Sequence, residues 1–271
     1  MDLLYHYTDF AALDGIIRNS ELRLNNILNM NDAEEMKYFM KKICLAVMTL
    51  FRDEGDEDGV SRTGALFQAE LSKEFIYSAY AACFSEYRDD AAQWERYGYL
   101  GRGAAIGFDR ALLQQMTYGA LTLREVFYEA DLSGNVLVRD FYEKIRKGLT
   151  APELQDTFNR AWISSAVFKH PSFACENEVR LLVSPFEQSF TEIAPQYHIT
   201  RERIKKYYPL DLNRLCSHAG CRLDDVIGEI IIGPESTQSV PILQDYLKDI
   251  GHPALAEKVI RSECPLRRVV R

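Results

Sequence analysis

The 271-residue chain predicts an α+β fold. Short apolar runs of strand character are interspersed with longer stretches whose apolar residues recur at helical spacing. No repeat, low-complexity segment or Pro/Gly-rich linker divides the sequence, so residues 1–271 read as one domain with helical insertions near 33–78 and 136–168. The composition, 47% hydrophobic and 27% charged, is that of a globular chain able to bury about three quarters of its unfolded surface.

The first run, Leu3-Leu4-Tyr5-His6-Tyr7, reads as a strand, and Thr8 or Asp9 then offers an oxygen to cap a helix. Phe10, Leu13, Ile16 and Ile17 give that helix its apolar face, and Leu22 and Leu24 alternate as a strand does. Asn31-Asp32 supplies the next cap, with Glu34 and Glu35 in a first turn where the helix dipole favours them. Met36, Phe39, Met40, Ile43 and Val47 carry this helix to about Arg52. The acidic run Asp53 to Gly59 resembles a calcium loop, but aligning Gly59 with the sixth position puts Ala65 where the bidentate glutamate must stand, which leaves an exposed acidic loop. A helix from about Ala65 to Ser72 leads to a buried strand, Tyr80 to Ser85. Trp94, Tyr97 and Leu100 share a helical face ended by glycines, and Ala104 to Phe108 is a strand. Gly98, Gly101 and Gly103 precede that strand, whereas a dinucleotide fingerprint follows one, so a Rossmann site is excluded. Val126-Phe127-Tyr128 reads as a strand and Val136 to Val167 as mostly helix, with Pro152 marking a start. Strands return at Glu178 to Val183 and Gly228 to Ile232. Ile242, Leu243, Tyr246 and Leu247 mark a late helix.

The 32 basic and 40 acidic side chains give a net charge of −8. This does not favour non-specific nucleic-acid binding, although Arg201/Arg203/Lys205/Lys206 and Arg267/Arg268/Arg271 form local basic segments. No run approaches the roughly 20 apolar residues of a membrane helix and the start lacks signal-peptide order, so a cytoplasmic protein without membrane contact is expected. Six scattered cysteines without a Cys-x-x-Cys pair predict buried thiols. His170, His198, His218 and His252 lack metal-ligand spacing, and no Gly-x-Ser-x-Gly elbow presents a serine nucleophile, so no metal site or acyl transfer is expected.

Four short features go further: His6-Tyr7-Thr8; Cys83-Phe84-Ser85 followed by Trp94 and Tyr97; Gly103 to Asp109; and Lys169-His170-Pro171 followed by Glu176-Asn177-Glu178-Val179-Arg180. Strand alternation places Glu176, Glu178 and Arg180 on one face, where they read equally as an exposed, mutually paired surface of little energetic weight.

With Leu22-Arg23-Leu24, Asn31-Asp32, Ile106-Gly107-Phe108 and Ile231-Ile232-Gly233-Pro234, these features resemble a bacterial family known as domain of unknown function twenty-nine seventy-one, over nearly the whole chain. Their order is also similar to the His-Tyr-Glu branch of ADP-ribosyltransferases, which includes poly(ADP-ribose) polymerases and protein- or DNA-modifying toxins. That resemblance implies split antiparallel sheets forming a cleft, with NAD as substrate. It implies that His6, with Tyr7 and Thr8 beside it, binds the adenosine ribose, that Ser85 supports the cleft strand, and that Tyr97 or Trp94 stacks on nicotinamide. Glu178 would be the catalytic carboxylate, with Glu176 competing for the role and Arg180 keeping Glu178 ionised. The same resemblance, with the basic segments, ranks nucleic acid ahead of protein and water as acceptor. It implies a toxin or phage-defence effector accompanied by a neutralising antitoxin. Two other classes compete. A glycosidase using Glu176 and Glu178 is disfavoured because both would face a sugar from the same side. A non-enzymatic protein-binding module would show no NAD turnover.

Overall fold

In the computed structural model the described residues are 2–30, 35–73, 79–129, 131–183, 193–199 and 201–266. The capping residues Asn31-Asp32 and Glu34, and the basic Arg267/Arg268/Arg271, fall outside them. The opening run forms β1 (Leu3–Thr8), and the Asp9 carboxylate caps α1 (Phe10–Arg18) by accepting from the Ala12 amide. β2 (Glu21–Asn26) follows, then α2 (Glu35–Asp53) and α3 (Glu57–Leu71). The acidic loop is shorter than its composition suggests. Asp56 caps α3 by accepting from the Gly59 amide, and residue 59, inside the helix, is glycine because a Cβ there would lie 2.3 Å from the Phe51 ring. A glycine that reads as a breaker is here a close-packing residue.

β3 (Tyr80–Ser85), α4 (Ala91–Arg96), β4 (Ala104–Asp109) and α5 (Arg110–Gln115) come next. β5 spans Leu121–Glu125, five residues before the expected Val126-Phe127-Tyr128, which instead contributes single contacts: the Val126 amide donates to the Glu178 carbonyl, and Phe127 bridges Phe168. The expected long helix divides into α6 (Val136–Arg146) and α7 (Gln155–Ser165), with Pro152 in the intervening turn. After β6 (Glu178–Val183) the chain supplies β7 (Gln196–Ile199), β8 (Ile204–Asp211), α8 (Leu212–Ala219), α9 (Leu223–Val226), β9 (Ile227–Ile232), α10 (Val240–Asp249), α11 (Pro253–Ala256) and β10 (Val259–Arg261).

Among the described residues the ten strands form one open, mostly antiparallel sheet in the order β10-β9-β4-β1-β3-β2-β8-β7, with β6 between β3 and β5. Only the β9–β10 pair is parallel. Each face carries its own core, as period-two alternation requires. One gathers Leu4, Leu24, Phe84, Ile106, Val179 and Ile230 beneath α1, α8 and α10. The other joins Ala81 and Leu182 to the two helical insertions, whose Phe39, Phe51, Phe67, Phe141, Phe158 and Trp162 interlock. Each fully buried aromatic contributes on the order of 1.5–3 kcal/mol by leaving water. No helix among the described residues is long and apolar enough to cross a membrane.

Candidate functional site

The site begins with an irregularity in the sheet. β3 pairs with β6 along its whole length, from Tyr80–Val183 to Ser85–Glu178. Its opposite edge is divided. β1 meets it only at Tyr5–Ser85, and β2 only at Asn25–Ala81 and Asn26–Tyr80. Between these contacts no strand among the described residues pairs with Ala82, Cys83 and Phe84 on that side, and a cavity of about 250 Å³ occupies the opening. His6, Tyr7, Asn25, Asn26, Ser85 and Glu178 line it, together with Gln93, Tyr97, Lys169, Glu176, Lys205 and Lys206.

His6 fills part of the gap. Its Nδ1 lies 2.8 Å from the Cys83 carbonyl oxygen. A carbonyl only accepts, so Nδ1 carries the proton. Burial lowers the imidazole pKa below its usual 6.5, partly opposed by that hydrogen bond, so the ring is neutral at physiological pH and Nε2 remains an acceptor.

Across the cavity lies a buried ionic floor. Ser85, Glu176, Glu178, Lys169 and Arg180 are all less than a tenth exposed. Arg180 grips Glu178 with two donors, Nε to Oε1 at 2.8 Å and Nη2 to Oε2 at 3.0 Å, and its Nη1 donates to the Ala166 carbonyl. Lys169 Nζ bridges the two carboxylates, 2.6 Å from Glu176 Oε2 and 3.2 Å from Glu178 Oε2. Burial by itself raises the Glu178 carboxyl, but Arg180 and Lys169 outweigh it and hold the pKa at about 2. Glu176 accepts from the Tyr97 hydroxyl at 2.6 Å and from Arg96 at 3.3 Å. Burial and that carboxylate push the Tyr97 phenol well up, so it stays protonated and donates.

Glu176 is not on the strand. It ends a 3-10 turn, Pro171–Glu176, and Asn177 with φ of 41° redirects the chain before β6 starts. The alternation argument therefore fails for Glu176, which reaches the floor from a turn that Ser85 and Gln93 hold by donating to its carbonyl at 2.8 and 3.1 Å. Nor is the trio an exposed paired face, since all three residues are buried.

The remaining residues separate by position. Tyr7 lines the cavity; its hydroxyl donates to the Tyr87 carbonyl and accepts from the Asp90 amide. Trp94 is wholly buried behind it, edge-on at 4.8 Å with Nε1 on Asp89, and does not line the cavity. Of the two aromatics put forward for stacking, only Tyr97 is at the cavity. Thr8 lies beyond the lining, and its carbonyl is why residue 103 is glycine, since a Cβ there would approach it to 2.0 Å. Arg180 acts from behind Glu178.

Residues 93–181 match the family described as "Protein of unknown function (DUF2971)". This third of the chain contains the four charged residues of the ionic floor, Lys169, Glu176, Glu178 and Arg180, with Gln93 and Tyr97, while His6, Ser85, Lys205 and Lys206 lie outside it. Comparison with curated proteins and with solved structures gives no match.

Sequence reasoning singled out Lys169-His170-Pro171 without giving Lys169 a role, and it passed over Asn25, Asn26 and the cavity-side position of Lys205 and Lys206. Lys169 had a signal, a cation seven residues before a glutamate pair. The asparagines had none, because their position depends on how β2 meets β3.

Proposed function

We propose that the cavity binds NAD and that the protein is an ADP-ribosyltransferase. One observation carries this reading: His6, Ser85 and Glu178, from three separate strands, line the single opening where β1 and β2 part along β3. In the reaction the bond between the ribose C1′ and the pyridinium nitrogen breaks and neutral nicotinamide leaves with the electron pair. Positive charge grows on the ribose, and an acceptor nucleophile bonds to C1′ and gives up its proton to water. A leaving group of this kind needs no acid. The requirement is a fixed negative charge in a site poor in water, where preorganised electrostatics contribute several kcal/mol. Glu178, with a pKa of about 2, remains a carboxylate at every physiological pH, and Glu176 lies beside it across the shared Lys169. Neutral His6 offers Nε2 to a ribose hydroxyl, and Tyr97 offers the aromatic face.

Nucleic acid is the first acceptor to test, with a toxin or phage-defence role and a neutralising antitoxin as its companions. Labelled NAD is incubated with the protein and separate pools of DNA, RNA and cell protein. Nicotinamide release with label on an acceptor supports the reading. Free ADP-ribose alone assigns a glycohydrolase, and no release with any pool, from protein shown to be folded, refutes both.

A further inference from the structure

We infer that Lys205 and Lys206 form an anion subsite for a diphosphate at the β8 wall of the cavity. The inference rests on the NAD reading only for the identity of the ligand that carries the diphosphate. The charged lining consists of Lys169, Lys205 and Lys206 against Glu176 and Glu178, three positive groups and two negative, a balance of 3 − 2 = +1 with His6 neutral. This electropositive opening sits in a chain of net charge −8. Lys169 is engaged by the two carboxylates. Among the described residues no carboxylate pairs with Lys205 or Lys206, and Lys206 Nζ has tyrosine rings beside it, 5.6 Å from the centre of Tyr208 and 5.9 Å from that of Tyr80.

The β2–β8 register pairs Asn25 with Tyr207 and Leu24 with Tyr208, so Lys206 stands next to Asn26 and Lys205 one step beyond. Adjacent strand residues project to opposite faces. Both lysines nevertheless line the one opening, reaching it from either face of β8, and Asn25 and Asn26 line it beside them. Two cations presented at one opening call for a compact group that carries two negative charges. The acidic remainder of the molecule confines anion binding to this opening and limits indiscriminate binding elsewhere on the surface.

The test is calorimetric titration with inorganic pyrophosphate and with ADP. The parent is expected to bind both, less tightly as salt rises. The Lys205→Gln/Lys206→Gln double variant should lose at least tenfold in affinity for each, and Lys147→Gln, at the exposed end of α6, should lose nothing. Circular dichroism checks the fold, and the two single variants, each expected to lose severalfold, serve if the double variant does not fold. Absence of binding by the parent, or equal affinity in the folded variants, overturns the subsite. Diphosphate binding that needs the lysines, without nicotinamide release from NAD, keeps the subsite and removes the transferase reading. Nicotinamide release with an unchanged KM in the variants does the reverse.

Discussion

Replacing Glu178 with Gln removes one charge and almost no volume from a buried cluster of two carboxylates and two cations, and leaves Lys169 and Arg180 facing Glu176 alone. The pKa gap sets the scale. A glutamate at 4.5 in the unfolded chain and about 2 in the fold gains roughly 2.5 pH units at about 1.4 kcal/mol each, or about 3–4 kcal/mol. This is the range expected when one partner of a buried pair is removed, and a side chain only 7% exposed is little screened by water. The folded pKa is depressed, so the stabilisation is complete above pH 4.5 and disappears as pH falls from there towards 2. Urea unfolding of parent and variant should therefore differ by about 3–4 kcal/mol at pH 7 and pH 6, by less at pH 4 and by almost nothing near pH 2. Adding Lys169→Met restores charge balance and should recover part of the loss. A difference that does not change with pH, or one below about 1 kcal/mol at pH 7, would refute the electrostatic account. Assays of Glu178→Gln consequently need conditions under which it is shown to be folded.

Under such conditions Glu178→Gln should abolish nicotinamide release and Glu176→Gln should reduce it less; a Glu178 variant as active as the parent with a working acceptor removes that residue from the chemistry. Tyr97→Phe deletes a hydrogen bond to a buried carboxylate and should cost about 1.5–3 kcal/mol in urea unfolding. Gly103→Ala forces a Cβ against the Thr8 carbonyl, and a loss of at least about 1–3 kcal/mol is expected from overpacking against backbone. The folded pKa of His6 is lowered, so its contribution is complete above 6.5 and falls as acid protonates the ring. His6→Gln should flatten that part of the pH–stability curve.

The strands that flank the cavity were legible where they are short, apolar and bounded by polar turns. Tyr80 to Ser85 and Glu178 to Val183 agree residue for residue with β3 and β6. Glu176 was misplaced because a spacing of two suggests strand alternation, while Pro171 and an asparagine tolerant of positive φ were the opposing signals. Pro209 and the Lys205-Lys206 pair interrupt the apolar pattern of β8, so the strand carrying the cavity's two lysines does not look like one. The start of α3 was obscured by an acidic run and a glycine; Asp56 caps the helix there, and the packing of Gly59 on Phe51 shows why a glycine stands in its first turn. The cavity itself is a property of pairing: no local pattern states that β1 and β2 share an edge of β3.

That shared edge also has a mechanical meaning. A continuous sheet resists bending because every rung couples neighbouring strands. Here, among the described residues, the flank from β1 to β10 and the flank from β2 to β7 are joined within the sheet only through β3, by contacts at opposite ends of one six-residue strand. A small torsion of β3 about its own axis would swing His6 on one wall relative to Asn26 and Lys206 on the other, without breaking a rung inside either flank. The nine-residue helix α1 connects β1 to β2 and so tethers the swing. Within the sheet the width of the opening thus depends on one strand, the apolar core shared beneath both flanks limits the swing, and Glu178 and Arg180 on β6 stay in register with β3.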